Sequence, residues 1–372
     1  MIARNVLARA DSRSVAADRM LTVADRYEAE LPVAEADVTS ATDLTRLLEP
    51  SDVVVSTVGP FMRLGMAVVA AAARAGAHYF DSTGEGPFAR RVLLELDAVA
   101  AVRGATLVPA FGYDYVPGNL AGALALTRVG ERARHVEIGY FITRSGHGDE
   151  LLYRSTLRDA CTLTTGGTRQ TLVGAAAEDG FAYRRPRPWA SARVVDERAA
   201  KRVRTFHYGG VKRTVLTVPG TEHLGLPEVF PQLGSVEVGL GWLGRWTRPV
   251  QIAATLQAPL LRSAKVRAAL ARWSERLPGS QREPDPDGRS LVIAVARDGH
   301  GRPLAATALT GPDPYEVTGS LLAWVAVHAA QPDAVLKPGA HGPLDAFGLD
   351  TLRLGAAEAG VHEVDGASAR RR

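Results

Sequence analysis

The residues of this chain best placed to do chemistry are carboxylates and phenols at the ends of predicted strands. Tyr79, Asp81, Gly84 and Glu85 follow one apolar strand, and the loop Phe111-Gly-Tyr-Asp-Tyr-Val-Pro-Gly118 follows the next. Two acids and two phenols converging there can orient a substrate and deliver a proton, with Tyr113 and Asp114 as candidate donors and Asp81 and Gly84 as candidate substrate contacts. Aspartate also caps helices, so Asp81 and Asp114 are read equally well as caps, and one carboxylate can do both. Ser56, Thr57, Val58, Gly59 and Pro60 end a third strand, where Gly59 allows close backbone approach to a ligand and Pro60 stops the strand. Thr164-Thr-Gly-Gly-Thr-Arg169 is a glycine turn feeding a helix. Its Gly166, Gly167, Thr168 and Arg169 make either an anion site or an ordinary N-cap, and residue types alone favour the cap. His147 is the histidine to test as an acid or base. None of the nine histidines lies in a His-x-x-x-His or Glu-flanked pair, so no metal is expected, and no Gly-x-Ser-x-Gly marks a serine nucleophile.

The elements that must position these groups read as a parallel α/β domain. Ser51 to Phe61 is a short apolar strand ending in Gly-Pro, followed by a small-residue helix from about Arg63 to Arg74 and a strand at His78 to Asp81. A helix from about Pro87 to Val102 and a strand at Ala105 to Pro109 repeat the unit. Upstream, Arg13 to Asp18 and Pro32 to Asp37 read as strands around a helix at Met20 to Ala29. Ligands bind at the carboxyl ends of such strands. Asp18 would there meet an adenosine ribose, Arg19 would stack on adenine or hold a 2′-phosphate, Asp37 would lie beside the adenine, and the Ser56 to Pro60 loop would face the ribose and nicotinamide. The expected cofactor is therefore NADP or NAD. Asp18 favours a free 2′-hydroxyl and Arg19 favours a phosphate, so the pair argues both ways, with NADP slightly preferred.

A fold of this kind builds outward from a central strand followed by a Gly-x-Gly-x-x-Gly turn, and neither precedes Asp18. Met1 to Arg9 reads as the last turns of the helix that would follow that turn. Gly146-His-Gly148, Gly239-Leu-Gly241 and Gly299-His-Gly301 lack the flanking strand and long helix that would make them substitutes. The expectation is an N-terminally truncated parallel sheet, from a start assigned too late. Loss of a central strand exposes many side chains worth about 1.5 to 3 kcal/mol each, against a net stability of about 5 to 15 kcal/mol, so weak folding or weak cofactor affinity follows.

Beyond about residue 125 the pattern changes. His135 to Thr143 alternates like a half-buried strand, Arg193 to Val195 and Lys212 to Val218 add β-type residues, and Leu291 to Val295 pairs with Leu304 to Thr307 across a glycine-rich loop. Val266, Leu270, Trp273 and Leu277 share one face of a helix expected from about Pro259 to Leu277, and helices are expected at Pro314 to Ala329 and Asp345 to Ala359. Three regions result: a nucleotide-type domain over 1–125, an α+β substrate or dimerisation domain over 126–310, and C-terminal helices with a frayed tail over 311–372.

The 372 residues are 46% hydrophobic and 23% charged, a globular rather than disordered composition. The longest apolar runs, Met66 to Ala73 and Leu321 to Val327, fall well short of the ~18 residues of a membrane span, and a cytoplasmic location is expected. A single cysteine, Cys161, excludes an internal disulfide framework. Net charge is +4, yet only four of the 44 basic residues are lysine, which points to coding bias rather than a nucleic-acid surface. The arginine-rich stretch from Arg184 to Arg204 is interrupted by Asp196 and Glu197 and reads as a solvated loop, with a clamp for a phosphate-bearing substrate as the alternative.

Five segments together resemble the saccharopine dehydrogenase-like oxidoreductases, in particular the bacterial trans-acting enoyl reductase-like group: Asp52 to Phe61, Gly76 to Glu85, Pro109 to Gly118, Thr165 to Arg169 and Gly342-Pro-Leu-Asp-Ala-Phe-Gly-Leu-Asp350. The resemblance implies a Rossmann domain binding NADP or NAD, an inserted α/β domain that shapes the substrate site, and C-terminal helices returning to the first domain. It implies hydride transfer to a C=N or activated C=C bond of a small or carrier-bound substrate. It also implies that the Ser56 to Pro60 loop contacts cofactor, while the Tyr113-Asp114 and Gly166-Gly167-Thr168 loops border substrate. A homodimer is the expected assembly, without nucleic acid or membrane. The alternative, from a different class, is a non-catalytic scaffold that has lost the pyrophosphate site.

Overall fold

The computed structural model describes residues 14–16, 33–144, 180–186, 190–261, 263, 265–266, 285–331 and 333–365. In chain order the first elements are β1 (Ser14–Ala16), β2 (Val33–Glu35), α1 (Ala41–Thr45), β3 (Val53–Ser56), α2 (Phe61–Ala75), β4 (His78–Asp81), α3 (Gly86–Glu95), α4 (Asp97–Arg103) and β5 (Thr106–Val108). Then come α5 (Val116–Val129), β6 (His135–Arg144), β7 (Phe181–Arg184), β8 (Arg193–Asp196), β9 (Val203–Tyr208), β10 (Val211–Thr217), α6 (Glu222–Val229), β11 (Ser235–Leu240), α7 (Thr247–Leu261), β12 (Gly288–Arg297) and β13 (Pro303–Gly311). The last are α8 (Pro314–Ala329), β14 (Gly339–Ala340), α9 (Pro343–Glu358) and β15 (His362–Val364).

The chain forms two compact units, one of residues 1–113 and 315–359, the other of residues 114–314 and 360–372. In the first unit β3, β4, β5 and β14 form a parallel sheet in the order β14-β5-β4-β3, and β1 pairs in parallel with β2. Helix α2 covers the sheet because its small residues permit close approach: Val68, Val69, Ala71, Ala72 and Ala73 are buried, and Gly65 lies under the Phe88 ring where a Cβ would collide. Gly76, at φ +79°, closes that helix in the left-handed conformation that glycine adopts without strain. Helices α8 and α9 return to this unit, where Trp324 stacks on Phe111 and meets Phe347 edge to face.

The second unit is a mixed nine-stranded sheet in the order β15-β13-β12-β6-β11-β10-β9, with β7 on β11 and β8 on β7. Among the described residues only β11 and β6 run parallel in this sheet; the other pairs are antiparallel. β12 sits between β13 and β6 and is buried along nearly its whole length, as its continuous Leu-Val-Ile-Ala-Val run requires.

Several expectations need correction. The first boundary, expected near residue 125, falls between Tyr113 and Asp114: α5 is buried from Val116 to Leu126, and its Gly122 packs on Ile138 and Leu226 of the second unit. The C-terminal region is not one block, because β15 leaves the helices to pair with β13, with Val364 opposite Ala308 rather than in a frayed tail. The single helix expected from Pro87 to Val102 breaks at Leu96, where the Asp97 carboxylate accepts the Ala340 N–H at 2.9 Å. The helix expected from Pro259 starts earlier, at Thr247; Val266 is exposed, and Leu270, Trp273 and Leu277 lie outside the described residues. The arginine-rich stretch is no solvated loop. Arg184, Lys201 and Arg202 share Glu197, while Arg184, Arg202 and Arg204 reach Glu237 on β11. The helix around Met20 to Ala29 lies outside the described residues. Among the described residues no helix is long and apolar enough to cross a membrane.

Candidate functional site

Each unit carries a polar cluster of its own. In the first, β3, β4 and β5 end together and their following loops hold the acids. Asp81, fully buried at the end of β4, accepts the Thr83 and Ala110 N–H groups on Oδ1, each at 2.8 Å, and its carbonyl takes the Phe111 N–H at 2.8 Å. Burial outweighs these donors and pushes its pKa up to about 6. The Tyr79 hydroxyl is raised by burial and by the Asp81 charge. Ser56 Oγ, Tyr79 Oη and Asp81 Oδ2 are buried with no hydrogen bond of good geometry. Glu85 reaches back to the start of α2, where Oε1 accepts the Phe61 N–H and Oε2 the Met62 N–H, both at 2.9 Å. Its carboxyl is also raised by burial.

Glu85 thus occupies the N-terminus of α2, the place where a free helix end would attract an anion. What remains open is the loop before it. Thr57 and Gly59 are exposed, Val58 and Pro60 are half-buried, Ser56 is buried, and a Cβ at Gly59 would meet nothing closer than the Phe61 ring at 3.7 Å. Asp37 is exposed and spends Oδ1 on the Thr39 N–H and hydroxyl, which lower its pKa. Gly84 is half-buried in the turn after Asp81. Tyr113 is buried, with its N–H donating to Thr318 Oγ1 at 3.1 Å. Asp18, Arg19, His147, Cys161, Gly166, Gly167, Thr168 and Arg169 lie outside the described residues.

The second cluster gathers around the start of α5. Asp114 is half-buried just before that helix, and burial raises its pKa to about 6. Glu222, fully buried at the start of α6, accepts the Tyr140 hydroxyl on Oε1 at 2.5 Å, while Oε2 has no hydrogen-bond partner. Burial, followed by the Asp114 charge, pushes Glu222 up to about 8, above what the Tyr140 hydrogen bond takes back. Asn119 donates through Nδ2 to the Tyr115 carbonyl at 3.0 Å and to Thr221 Oγ1 at 3.1 Å, leaving Oδ1 buried without a donor. His223 shares Nδ1 with the Gly220 backbone and is lowered to about 4 by burial, so it is neutral at ordinary pH.

Glu222, Tyr140 and Asn119 escape sequence reasoning. Their one signal is an acid, Glu222, in the first turn of a short helix. Among the described residues no group of three or more His, Cys, Asp or Glu side chains is arranged to hold a metal. A small cleft lined by Glu197, Arg202, Thr217, His223 and Glu237 among others borders the ion-pair network.

Residues 1–108 match the family described as the saccharopine dehydrogenase NADP binding domain. Over 90 residues the chain is 41% identical to a Mycobacterium tuberculosis protein named after the trans-acting enoyl reductases, covering 24% of this chain and 22% of that protein. Over 89 residues it is 38% identical to the trans-acting enoyl reductase of Mycobacterium ulcerans, covering 24% of this chain and 21% of that one. The match therefore spans about a fifth of these relatives' length. Saccharopine dehydrogenase (L-Glu forming) from Saccharomyces cerevisiae shares the fold, with a TM-score of 0.55 at 12% identity over 98% of this chain and 97% of that one. The chain is saccharopine dehydrogenase-like in fold, residues 1–108 are similar to the saccharopine dehydrogenase NADP binding domain, and the relatives it matches are oxidoreductases by name.

Proposed function

We propose that this chain is a cytoplasmic NAD(P)-dependent oxidoreductase that exchanges hydride with a C=N or activated C=C bond of a small or carrier-bound substrate, with NADP preferred over NAD, and that it works as a homodimer. The observation that carries this reading is the match of residues 1–108 to an NADP-binding domain. The first unit fits a dinucleotide in part. The exposed Thr57 and Gly59 backbone can border the ribose and nicotinamide, whereas the α2 N-terminus is taken by Glu85 and is not where a pyrophosphate would sit. Asp18 and Arg19 would hold the adenosine end.

Bound there, the nicotinamide supplies the hydride-exchanging carbon. The protein's own part is orientation and a proton. Asp114, half-buried and raised to about 6, is poised near neutrality to give or take a proton at its carboxyl oxygen, where an ordinary aspartate would be fully ionised. Tyr113 is the second candidate donor; it is buried, and its backbone N–H donates to Thr318 Oγ1.

Fluorescence titration of NADPH and NADH against the purified chain tests the cofactor assignment. Saturable binding is the expected result, and the tighter nucleotide names the cofactor. Cooperative folding with no binding of either nucleotide would overturn the oxidoreductase reading in favour of a scaffold. Where turnover is measurable, Asp114→Asn is expected to lower kcat by roughly 10²-fold or more, the range general acid catalysis contributes. Unchanged turnover removes Asp114 from the mechanism. Light scattering checks the dimer.

A further inference from the structure

Helix α7 of the second unit turns its apolar side outward. Pro249, Ile252, Ala253, Leu256 and Pro259 fall at the spacing that lines one face of a helix, and all are exposed, Ile252 by 56% and Leu256 by 73%. The adjoining row, Gln251 and Thr255, is the one tied to the rest of the unit: Arg198 donates to Thr255 Oγ1 at 2.9 Å, and Thr255 donates to the Gln251 carbonyl at 2.8 Å. The helix rests on β9 and β10. A surface helix of a globular protein ordinarily points its apolar stripe at the core, so a stripe displayed outward marks a face that meets something apolar.

The charges around the helix narrow what that partner is. Between Glu237 and Glu275 the sequence has no acid, and it has Arg245, Arg248, Arg262, Lys265, Arg267 and Arg272. Arg245 and Arg248, at the start of α7, and Lys265, beyond its end, are exposed. The Arg245 guanidinium lies over the Trp246 ring, 5.4 Å from its centre, so an indole and a cation stand together where the helix begins. An apolar stripe with basic ends suits an anionic partner. A second copy of the chain would bring the same cations against themselves across a two-fold axis. A lipid surface instead gives each part its counterpart: acyl chains for Ile252 and Leu256, the interfacial layer for the indole, and phosphates for the cations. At 15 residues the helix is too short to cross a bilayer, but lying in the plane of one needs no such length.

We propose that α7 is a peripheral membrane-docking helix: Ile252 and Leu256 enter the headgroup layer of an anionic bilayer while Arg245, Arg248 and Lys265 hold its phosphates. The site lies wholly in the second unit and is independent of the oxidoreductase reading, since a chain without nucleotide affinity would bind lipid all the same. The expectation of no membrane rests on the lack of a long apolar run, and a helix that lies on a surface carries no such run. Attraction of the cations to the phosphates falls off within a Debye length, so the attachment is reversed by salt.

The test is co-sedimentation of the purified chain with vesicles, either of phosphatidylcholine alone or of phosphatidylcholine with an equal share of phosphatidylglycerol. Binding to the anionic vesicles, little binding to the neutral ones and release as salt rises are the expected results. Ile252→Asp combined with Leu256→Asp should lower the partition by roughly tenfold or more, because a charge replaces each inserted side chain. Both positions are exposed, so thermal denaturation of this variant should match wild type. Arg248→Gln combined with Lys265→Gln should lower binding to the anionic vesicles by about fivefold per charge and flatten its salt dependence, and this pair serves if the first variant does not fold. Equal binding to both kinds of vesicle, binding to neither, or binding that survives the substitutions overturns the proposal. If light scattering without lipid shows wild type associating and the variant at Ile252 and Leu256 not, the stripe joins copies of the chain and the proposal fails likewise. Because no nucleotide enters the experiment, its failure is separate from failure of the oxidoreductase reading.

Discussion

Each unit holds two acids whose pKa is raised by burial, and the two sets are bonded differently. In the first unit Asp81 gives Oδ1 to two backbone amides and leaves Oδ2 bare, and Glu85 spends both oxygens on backbone amides. Asp81 ties the Ala110 loop to the end of β4, and Glu85 ties the start of α2 to the turn after β4. In the second, Asp114 makes no such tie, and Glu222 accepts one hydroxyl and leaves an oxygen bare. Burial raises all four. The difference is what the raised acid would lose on mutation: a set of loop amides in one case, a proton in the other. Acids bonded to backbone hold architecture, and acids bonded to little are available for proton transfer.

The largest effect expected from this contrast is on Asp81. Asp81→Ala strips the acceptor from two buried N–H groups and is expected to cost about 3 kcal/mol, each unsatisfied buried donor costing roughly 1 to 3 kcal/mol. Asp81→Asn keeps one oxygen and should recover part of the loss. Urea denaturation measures both. A loss under about 1 kcal/mol for the alanine variant would mean that water serves these amides as well as the carboxylate does. Next comes Glu85→Ala, which uncaps α2 and is expected to cost about 1 to 2 kcal/mol by the same measurement. Its loss should be accompanied by faster amide exchange at Phe61 and Met62.

Glu222→Gln should behave differently in kind. At acid pH, where the native side chain is neutral, the amide is nearly isosteric and the stability change should stay within about 1 kcal/mol. As pH rises the comparison shifts. A carboxyl raised from 4.5 to about 8 stays protonated in the folded chain while the unfolded chain ionises, so wild type loses stability over that interval. The glutamine variant has no such loss and should gain on wild type between pH 5 and 8. A constant difference across that range would show that Glu222 is not neutral in the fold.

Much of the architecture is legible in the residues alone. The apolar runs Val53-Val-Val-Ser56 and His78-Tyr-Phe-Asp81 form strands where period and turn residues place them, and the hairpin of β12 with β13 follows from the glycine-rich loop between them, although Leu291 to Val295 stand opposite Ala306 to Thr310 rather than Leu304 to Thr307. Local signals suffice there. The sites are less legible because their bonds are long-range: Tyr140 meets Glu222 across 82 positions, and Asp81 meets Ala110 across 29. Nothing near Glu222 announces Tyr140 as its donor. The same cause hides the ion pairs of the arginine-rich stretch, whose acid Glu237 lies on β11, and the place of α5 in the second unit, which depends on Ile138 and Leu226. Asp114 is visible as an acid after a strand, whereas the buried Glu222 and its Tyr140 donor are visible only in the fold.

The smallest effect concerns an acid that does have a cation. Asp345, in the first turn of α9, pairs with His341 Nδ1 at 2.7 Å and Lys337 Nζ at 2.8 Å, and these contacts hold its pKa at about 2. His341 places its other ring nitrogen 3.1 Å from the Pro338 carbonyl, so with acceptors on both sides the ring favours its protonated form and its pKa rises. The signs follow from linkage. A depressed aspartate contributes stability that is present above its unfolded value of 3.8 and lost as pH falls toward 2. A raised histidine contributes below its unfolded value of 6.5 and loses that contribution as pH climbs through the folded value. The window of full effect therefore lies between about 4 and 6.5. Asp345→Asn should cost no more than about 1 kcal/mol in that window, as partly exposed pairs do, and the gap to wild type should close as pH falls toward 2. Thermal denaturation across pH measures it. Stability that falls with rising pH at Glu222 and rises with pH at Asp345 would separate the lone acid from the paired one within a single protein. The same slope at both sites would break the contrast.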